Sequence, residues 1–169
     1  MLTEPPLPGS ESPGLVAGRY RILEKLSDGE HAVVYKVADQ LQGGRPVVLK
    51  AVTAAVDADA VERIRWELVR LARLDHPRLL RVYDLAVADD RSAPLRPGQI
   101  YLTAEFAAGQ PAREVVAHQS GRRRVALLWK IAADVASALD HLHQQGLRHG
   151  GVKPEHLLCT PHGDVKLVD

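Results

Sequence analysis

The first part of the chain carries a pattern of apolar positions that predicts a small antiparallel sheet. Apolar runs separated by turn residues lie at 20–26, 32–37 and 46–52. β-branched residues dominate the second and third runs, and a Gly-Gly pair lies between them, as expected for strands joined by a tight turn. This part of the chain therefore predicts three consecutive strands.

Residues 58–75 change to the period of a helix. Their apolar residues recur at three- and four-residue steps, which places them on one face. The helix is expected to end near Asp75, because His76 precedes a proline and is therefore disfavoured in the helical conformation.

The rest of the chain predicts two more strands, one long helix and a terminal hairpin. The strands are expected at 79–87 and 100–105, the helix at 122–145, and the hairpin strands at 157–159 and 165–168. Apolar residues occupy more than one side of the long helix, so neighbours are expected on several of its faces. The order of these elements predicts an α+β fold, in which one helix is inserted after the third of five strands.

Composition and charge narrow the class of protein. The chain is 46% hydrophobic and 25% charged, which is typical of a globular domain. Its formal net charge of +1 argues against nucleic acid or an anionic membrane as a partner, and no apolar run approaches the roughly 20 residues of a membrane helix. Cys159 is the only cysteine, so no internal disulfide can form, and we expect a cytoplasmic protein.

Two motifs near the end of the chain carry a family resemblance. The run RHGGVKPEHLL at 148–158 and the run VKLVD at 165–169 resemble the catalytic loop (H-R-D-L-K-P-E-N-I-L) and the start of the D-F-G motif of eukaryotic-type Ser/Thr protein kinases. The resemblance extends from Tyr20 to Asp169. It implies a five-stranded antiparallel N-lobe sheet with one inserted helix, followed by the first part of a mainly helical C-lobe.

The resemblance also implies a division of the chain. The segments would be a flexible tail at 1–17, the kinase N-lobe at 18–104, the hinge at 105–109, and a partial C-lobe at 110–169 that ends at the D-F-G aspartate.

Several residues of the N-lobe would contact ATP if the resemblance holds. The stretch LSDGEHAVV resembles the glycine-rich loop G-x-G-x-x-G-x-V, of which Gly29, the middle glycine, is retained. Lys50 ends a stretch resembling V-A-I-K and would pair with phosphate oxygens and with a helix carboxylate. Glu67 is the expected carboxylate, because of its distance from the His-Pro pair that follows the helix, and Glu62 is its rival.

The stretch YLTAEFAAG at 101–109 resembles the last N-lobe strand and the hinge. The hinge backbone from Glu105 to Ala107 would hydrogen-bond an adenine ring. Ala104 falls at the gatekeeper position, where a small side chain would leave space behind the adenine. The apolar walls of the pocket would be Val34, Val48, Ala104 and Leu158, and the same four residues also fit ordinary core packing.

The stretch that resembles the catalytic loop differs from the family at the residues that carry out the chemistry. Gly151 stands where the family has the aspartate that accepts the proton of the substrate hydroxyl, and glycine has no group that can do so. His156 replaces an asparagine that holds a second metal ion, and because Mg²⁺ prefers oxygen ligands we expect this histidine to be a hydrogen-bonding filler. Lys153 could still contact a γ-phosphate, and Asp169 could hold one Mg²⁺ ion.

These substitutions lead to one main hypothesis and two alternatives. The main hypothesis is a pseudokinase or a kinase fragment that binds ATP and Mg²⁺ weakly. The alternatives are an active Ser/Thr kinase whose full-length form supplies a base from elsewhere, and a non-catalytic interaction module.

The end of the chain within the D-F-G motif favours a fragment of a longer protein over a natural stub. In either case we expect the missing C-lobe or a protein partner to cover the 122–145 helix.

Overall fold

The computed structural model describes residues 15–53, Trp66 and residues 69–168. These residues group into two compact units. The first contains 15–53 and 85–102, and the second contains Trp66, 69–84 and 103–168. Residues 69–84, which the sequence predicted as part of the N-lobe, thus group with the second unit.

A five-stranded sheet contains the strands of the predicted N-lobe. Its strands are β1 (Tyr20–Asp28), β2 (Ala32–Asp39), β3 (Arg45–Val52), β4 (Val82–Val87) and β5 (Ile100–Glu105). Their order in the sheet is β1-β2-β3-β5-β4. The predicted fold class, which has a five-stranded antiparallel sheet as its first part, is confirmed.

The third strand shows why these residues form a sheet. Val47, Leu49 and Ala51 are buried, whereas the residues between them are only partly buried. This alternation is the period of a strand that packs one face on a core. The rings of Tyr20 and Tyr101 close the same core edge to face, with centroids 6.4 Å apart.

The predicted tail is shorter than the sequence suggested. Residues 1–14 lie outside the described residues, but Val16 is fully buried and forms a β-bridge with Tyr20. The backbone N–H of Ala17 also donates to the Ser92 hydroxyl at 3.2 Å. Residues 15–17 therefore belong to the folded first unit, because burial of Val16 offsets the entropy cost of ordering them.

The second unit is built around one long helix and a small sheet. Its elements after the hinge are β6 (Gln110–Pro111), α1 (Ala112–Ala117), α2 (Gly121–Gln144), β7 (Leu157–Cys159) and β8 (Val165–Leu167). The three strands pair in the order β6-β7-β8. The core of this unit consists of Leu79, Ala138, Leu142, Leu147 and Leu167.

The predicted helix at 58–75 is described only in part. Trp66 and residues 69–71 are helical, and the helix ends at Leu71 rather than near Asp75. The amide of Leu74 bonds back to the carbonyl of Leu71 over three residues, so the chain leaves the helix through a tight turn. Likewise, the strand predicted at 79–87 begins at Val82, and Leu79 instead forms an isolated parallel bridge with Leu167.

A cluster of four charged residues joins helix α2 to the β7–β8 hairpin. The Asp134 carboxylate accepts hydrogen bonds from Arg78 at 3.0 Å, from Lys130 at 2.9 Å and from the amide of Val165 at 2.9 Å. Asp164 completes the cluster at 3.0 Å from Arg78. Burial pushes the pKa of Asp134 upward, but the hydrogen bonds from Lys130 and Val165 and the charge of Arg78 leave it below its usual value.

None of the helices among the described residues combines the length and the apolar character needed to cross a bilayer.

Candidate functional site

Strand register brings three of the predicted ATP contacts to one face of the sheet. Val34 on β2 lies directly opposite Lys50 on β3, and Val48 is two residues from Lys50 on the same strand. Side chains of paired residues, and of residues two apart, point to the same face. Burial lowers the pKa of Lys50, since desolvation disfavours the charged ammonium.

The turn between β1 and β2 contains the retained glycine of the glycine-rich loop. The backbone N–H of Gly29 donates to the carbonyl of Ala32 at 3.0 Å, so it is engaged within the turn. A Cβ atom at this position would lie 3.3 Å from the same carbonyl oxygen. The glycine thus allows a tight turn, while its amide is already paired.

The predicted carboxylate partner of Lys50 cannot be placed. Glu67 and its rival Glu62 both lie outside the described residues, as does Asp169, the predicted metal ligand. Lys50 and the residues on its face belong to the first unit, and the remaining predicted contacts belong to the second.

The hinge contacts in the second unit are at the end of β5. Ala104 is buried, with 5% of its surface exposed. The N–H of Glu105 donates to the carbonyl of Arg81 at 2.8 Å as part of the strand pairing. Within the part of the chain that the structure describes, neither peptide group of Ala107 takes part in a hydrogen bond. Ala107 thus retains a donor and an acceptor for a ligand.

Sequence reasoning missed an ion pair at this hinge. The Nζ atom of Lys166 on β8 lies 2.8 and 2.7 Å from the two carboxylate oxygens of Glu105. Leu158, predicted as an apolar wall, is on β7 and pairs in register with Lys166. The available signal was the single charged residue in the otherwise apolar run at 165–168, since a half-buried lysine requires a partner.

The catalytic loop is held together by two histidines. His149 Nδ1 accepts a 3.3 Å hydrogen bond from the N–H of Gly151, and the Nδ1–H of His156 donates to the Gly151 carbonyl at 2.6 Å. The Gly151 peptide is therefore bonded on both sides. Gly150, where the family has arginine, has a left-handed φ of 73° that glycine adopts without steric cost.

The position of the missing base is open to a side chain. Among the described residues, a Cβ atom on Gly151 would meet the His156 ring alone, at 4.0 Å, which is an ordinary van der Waals distance. Lys153 is exposed to solvent. Glu155 is also exposed, with its carboxylate 4.0 Å from Arg113.

The described residues fit a nucleotide better than a second metal ion. In the second unit, Ala107 has a peptide edge that bonds to no other described residue and suits a heterocyclic base. In the first unit, Lys50 is a cation of the kind that contacts phosphate oxygens. His156, in contrast, uses Nδ1 to bind the Gly151 carbonyl and presents no oxygen, so it is a poor ligand for a hard cation. Mg²⁺ would depend on Asp169.

Comparison with known proteins identifies the family. The family model described as protein kinase domain matches residues 20–169. The chain is 31% identical over 160 residues to the serine/threonine-protein kinase PksC of Streptomyces coelicolor. The aligned region covers 92% of this chain and 28% of that protein. It is 29% identical over 156 residues to PrkC of Bacillus subtilis, with coverage of 91% and 22%. The chain spans about a quarter of the length of these relatives.

Comparison with solved structures supports the fold. The structure described as the PpkA-294 apo form superposes with a TM-score of 0.68 over 89% of this chain and 58% of that chain, at 20% sequence identity. At this identity the likeness concerns the architecture alone. With the family model matched over residues 20–169, it follows that the chain belongs to the protein kinase domain family.

Proposed function

We propose that this chain is a nucleotide-binding pseudokinase domain that does not transfer phosphate. One observation carries the proposal: the position of the catalytic aspartate is Gly151, whose peptide is bonded by His149 and His156 and carries no proton acceptor. The homologous Ser/Thr kinases supply the family context.

Each unit retains residues that the family resemblance assigns to nucleotide binding. The peptide edge of Ala107 would hydrogen-bond the adenine, with Ala104 and Leu158 beside it. Lys50 would approach the phosphates, and Lys153 could neutralise the terminal phosphate. Bound ATP with Mg²⁺ would supply the activated phosphoryl group, and this chain's residues would hold and orient it.

The missing base accounts for the expected lack of transfer. A positioned general base contributes about 10²–10⁴-fold in rate, which corresponds to roughly 3–5.5 kcal/mol of barrier. His156 also lacks the oxygen that the family uses for a second metal ion. Weak binding without turnover is therefore the function that these residues support best.

A thermal-shift titration with ATP and Mg²⁺, combined with a radiolabelled phosphate-transfer assay, tests the proposal. We expect the melting temperature to rise at millimolar nucleotide and no label to transfer. Absence of a shift would remove the binding claim and favour a pure interaction module. Transfer by a longer form of the protein would favour an active kinase with a base from elsewhere, provided that Lys50→Met abolishes it and Gly151→Ala does not.

A second observation concerns a protein partner. Helix α2 exposes a continuous apolar stripe made of Val125, Leu128, Trp129, Ala132 and Ala136. Trp129 is the most exposed of its large side chains, at 74%. Leu139, further along the same helix, packs against the core of the second unit instead. Monomers seldom expose such stripes, so we propose that protein covers it: the remainder of a kinase C-lobe or a separate partner.

Light scattering and dye binding test this coverage. The 169-residue chain is expected to bind a hydrophobic dye and to self-associate, and Trp129→Glu is expected to reduce both. A monomer with little dye binding would contradict the coverage proposal.

A further inference from the structure

The ion pair between Glu105 and Lys166 is less exposed, and makes more contacts, than an ordinary surface ion pair. The exposed fractions of the two side chains are 27% and 17%, and the ammonium contacts both carboxylate oxygens. The Leu79 carbonyl accepts a further hydrogen bond from Lys166 at 3.4 Å. A lysine ammonium has three N–H donors, so these acceptors match all of them.

The strand that carries Lys166 is anchored at each residue before Asp169. The N–H of Val165 donates to Asp134, that of Leu167 to the Arg78 carbonyl at 2.8 Å, and that of Val168 to the His156 carbonyl at 2.8 Å. These bonds use the backbone. Lys166 is the residue in this series whose side chain reaches the hinge.

The carboxylate end of the pair belongs to the hinge strand. Glu105 receives a second, longer contact from the amide of Arg81, at 3.4 Å from Oε2. Its own N–H is bonded to the Arg81 carbonyl. The backbone and the side chain of Glu105 are thus both fixed by hydrogen bonds. Ala107, whose peptide groups bond to no other described residue, follows two positions later.

We propose that Lys166 is a positioning residue that couples the adenine-binding edge of the hinge to the strand leading to Asp169. The proposal rests on the proposed nucleotide site and deepens it. Because one ammonium joins β8 to the end of β5, displacement of either element displaces the other. Hinge recognition of adenine and metal-dependent binding of phosphates are then expected to weaken together when the pair is broken.

A purely structural role would make a different prediction. If the pair only stabilised the second unit, its loss would act as any other broken ion pair does. Lys130→Met is the matched control, since Lys130 also pairs with a carboxylate of this unit, at 2.9 Å from Asp134, and contacts no hinge residue among those described. Lys166→Arg keeps the charge and can restore the bidentate contact.

Amide hydrogen exchange tests the positioning without any ligand. In Lys166→Met, and equally in Glu105→Gln, the amides of Glu105 and Leu167 are expected to exchange about tenfold or more faster, because exchange reports local opening. Lys130→Met is expected to leave these two amides protected, and Lys166→Arg to restore protection. Equal exchange at both amides in Lys166→Met and in Lys130→Met would overturn the proposal.

Binding of adenosine and of ATP with Mg²⁺ forms the second arm. Adenosine lacks phosphates, so it reports the hinge alone. Lys166→Met is expected to weaken the binding of both ligands by about tenfold or more, because a hinge that is no longer held in place must be ordered when the ligand binds. Wild-type affinity for adenosine in Lys166→Met would overturn the coupling. If the wild type binds neither ligand, the proposed function fails, and the exchange experiment alone decides whether Lys166 positions the hinge.

Discussion

The Nδ1–H of His156 donates a 2.6 Å hydrogen bond to the carbonyl oxygen of Gly151. In the family these two positions carry a metal-binding asparagine and the catalytic aspartate. Here the two residues bind each other, and these hydrogen bonds hold the backbone of the loop. Gly151 does not have a left-handed φ, so its backbone conformation is one that residues with side chains also adopt.

Gly151→Asp is therefore expected to fold as the wild type does. A Cβ atom at 151 would approach no atom of the described residues more closely than 4.0 Å, so the change in unfolding free energy is expected to stay within about 0.5 kcal/mol. Gly150→Ala is the control, since its φ of 73° disfavours any side chain and predicts a loss of about 1 kcal/mol. Urea unfolding compares the two, and a larger loss for Gly151→Asp would contradict the geometry.

Gly109→Ala is expected to destabilise the second unit. A Cβ atom at Gly109 would lie 2.7 Å from the Cys159 carbonyl oxygen, where the chain enters the β6–β7 pairing. Relief requires a backbone shift, so we expect a loss of about 1–3 kcal/mol. Gly151→Ala serves as the comparison in the same thermal-unfolding series, and equal stability of the two variants would argue against the close approach.

Asp134→Asn tests the charged cluster that joins α2 to the hairpin. Replacing the buried carboxylate removes the negative charge between Arg78 and Lys130, both of which are partly exposed, and hydrogen bonds to a charged group contribute about 1.5–3 kcal/mol. Asp140→Asn, on the solvent side of the same helix, is expected to cost less than about 0.5 kcal/mol. The comparison uses the denaturant midpoints of unfolding of the two variants. Similar midpoints would show that the charged cluster contributes little to stability.

His76 predicts a dependence of stability on pH. Its Nδ1 accepts from the Arg78 amide at 3.2 Å, its Nε2 contacts the Ser137 hydroxyl at 3.2 Å, and its ring stacks on His141 with centroids 5.0 Å apart. Burial, and then the charges of His141 and Arg78, lower the pKa of His76. The unfolded chain therefore binds a proton more readily than the folded one.

The direction in which stability changes with pH follows from this difference in proton binding. The stabilisation is present above the unfolded pKa of about 6.5 and is lost as the pH falls through the lower folded value. In His76→Asn, whose amide oxygen can accept from Arg78, the slope of unfolding free energy against pH below about 6.5 is expected to be shallower than in the wild type. Identical slopes, measured by urea unfolding at several pH values, would exclude His76 as the titrating group.

Much of the fold followed from local patterns. Alternation in β3 and the long helical period of α2 predict their elements within a residue or so, because in each case one face is buried. The two-residue strand β6 and the short helix α1 were not predicted, since elements of this length leave no periodic signal. The first turn of the folded chain was missed for a related reason: Val16 belongs to an apolar run of three residues, 15–17, that follows a segment rich in Pro, Gly and Ser and is too short to show a period.

Residues of the candidate site could be predicted from the sequence only where a family motif contains them. Val34, Val48 and Lys50 share a face as the strand spacing implies. The Glu105–Lys166 pair joins residues far apart in sequence, and no local pattern specifies which carboxylate a strand lysine meets. The pairing of Lys50 with Glu67, the cytoplasmic location and the absence of a nucleic-acid partner stay predictions.

Isothermal titration of ATP with Mg²⁺ into the wild type, Lys50→Met and Lys25→Met tests the central claim most directly. Lys25 is opposite Tyr35 in the strand register, so its side chain lies on the face opposite Val34 and Lys50, where its ammonium is 2.8 Å from the Asp28 carboxylate. It serves as a matched lysine on the other face of the sheet. We predict that the wild type and Lys25→Met bind alike and that Lys50→Met binds about tenfold or more weakly, as loss of a charge-assisted contact implies. Equal affinity of all three proteins, or no binding heat with the wild type, would contradict a retained nucleotide site.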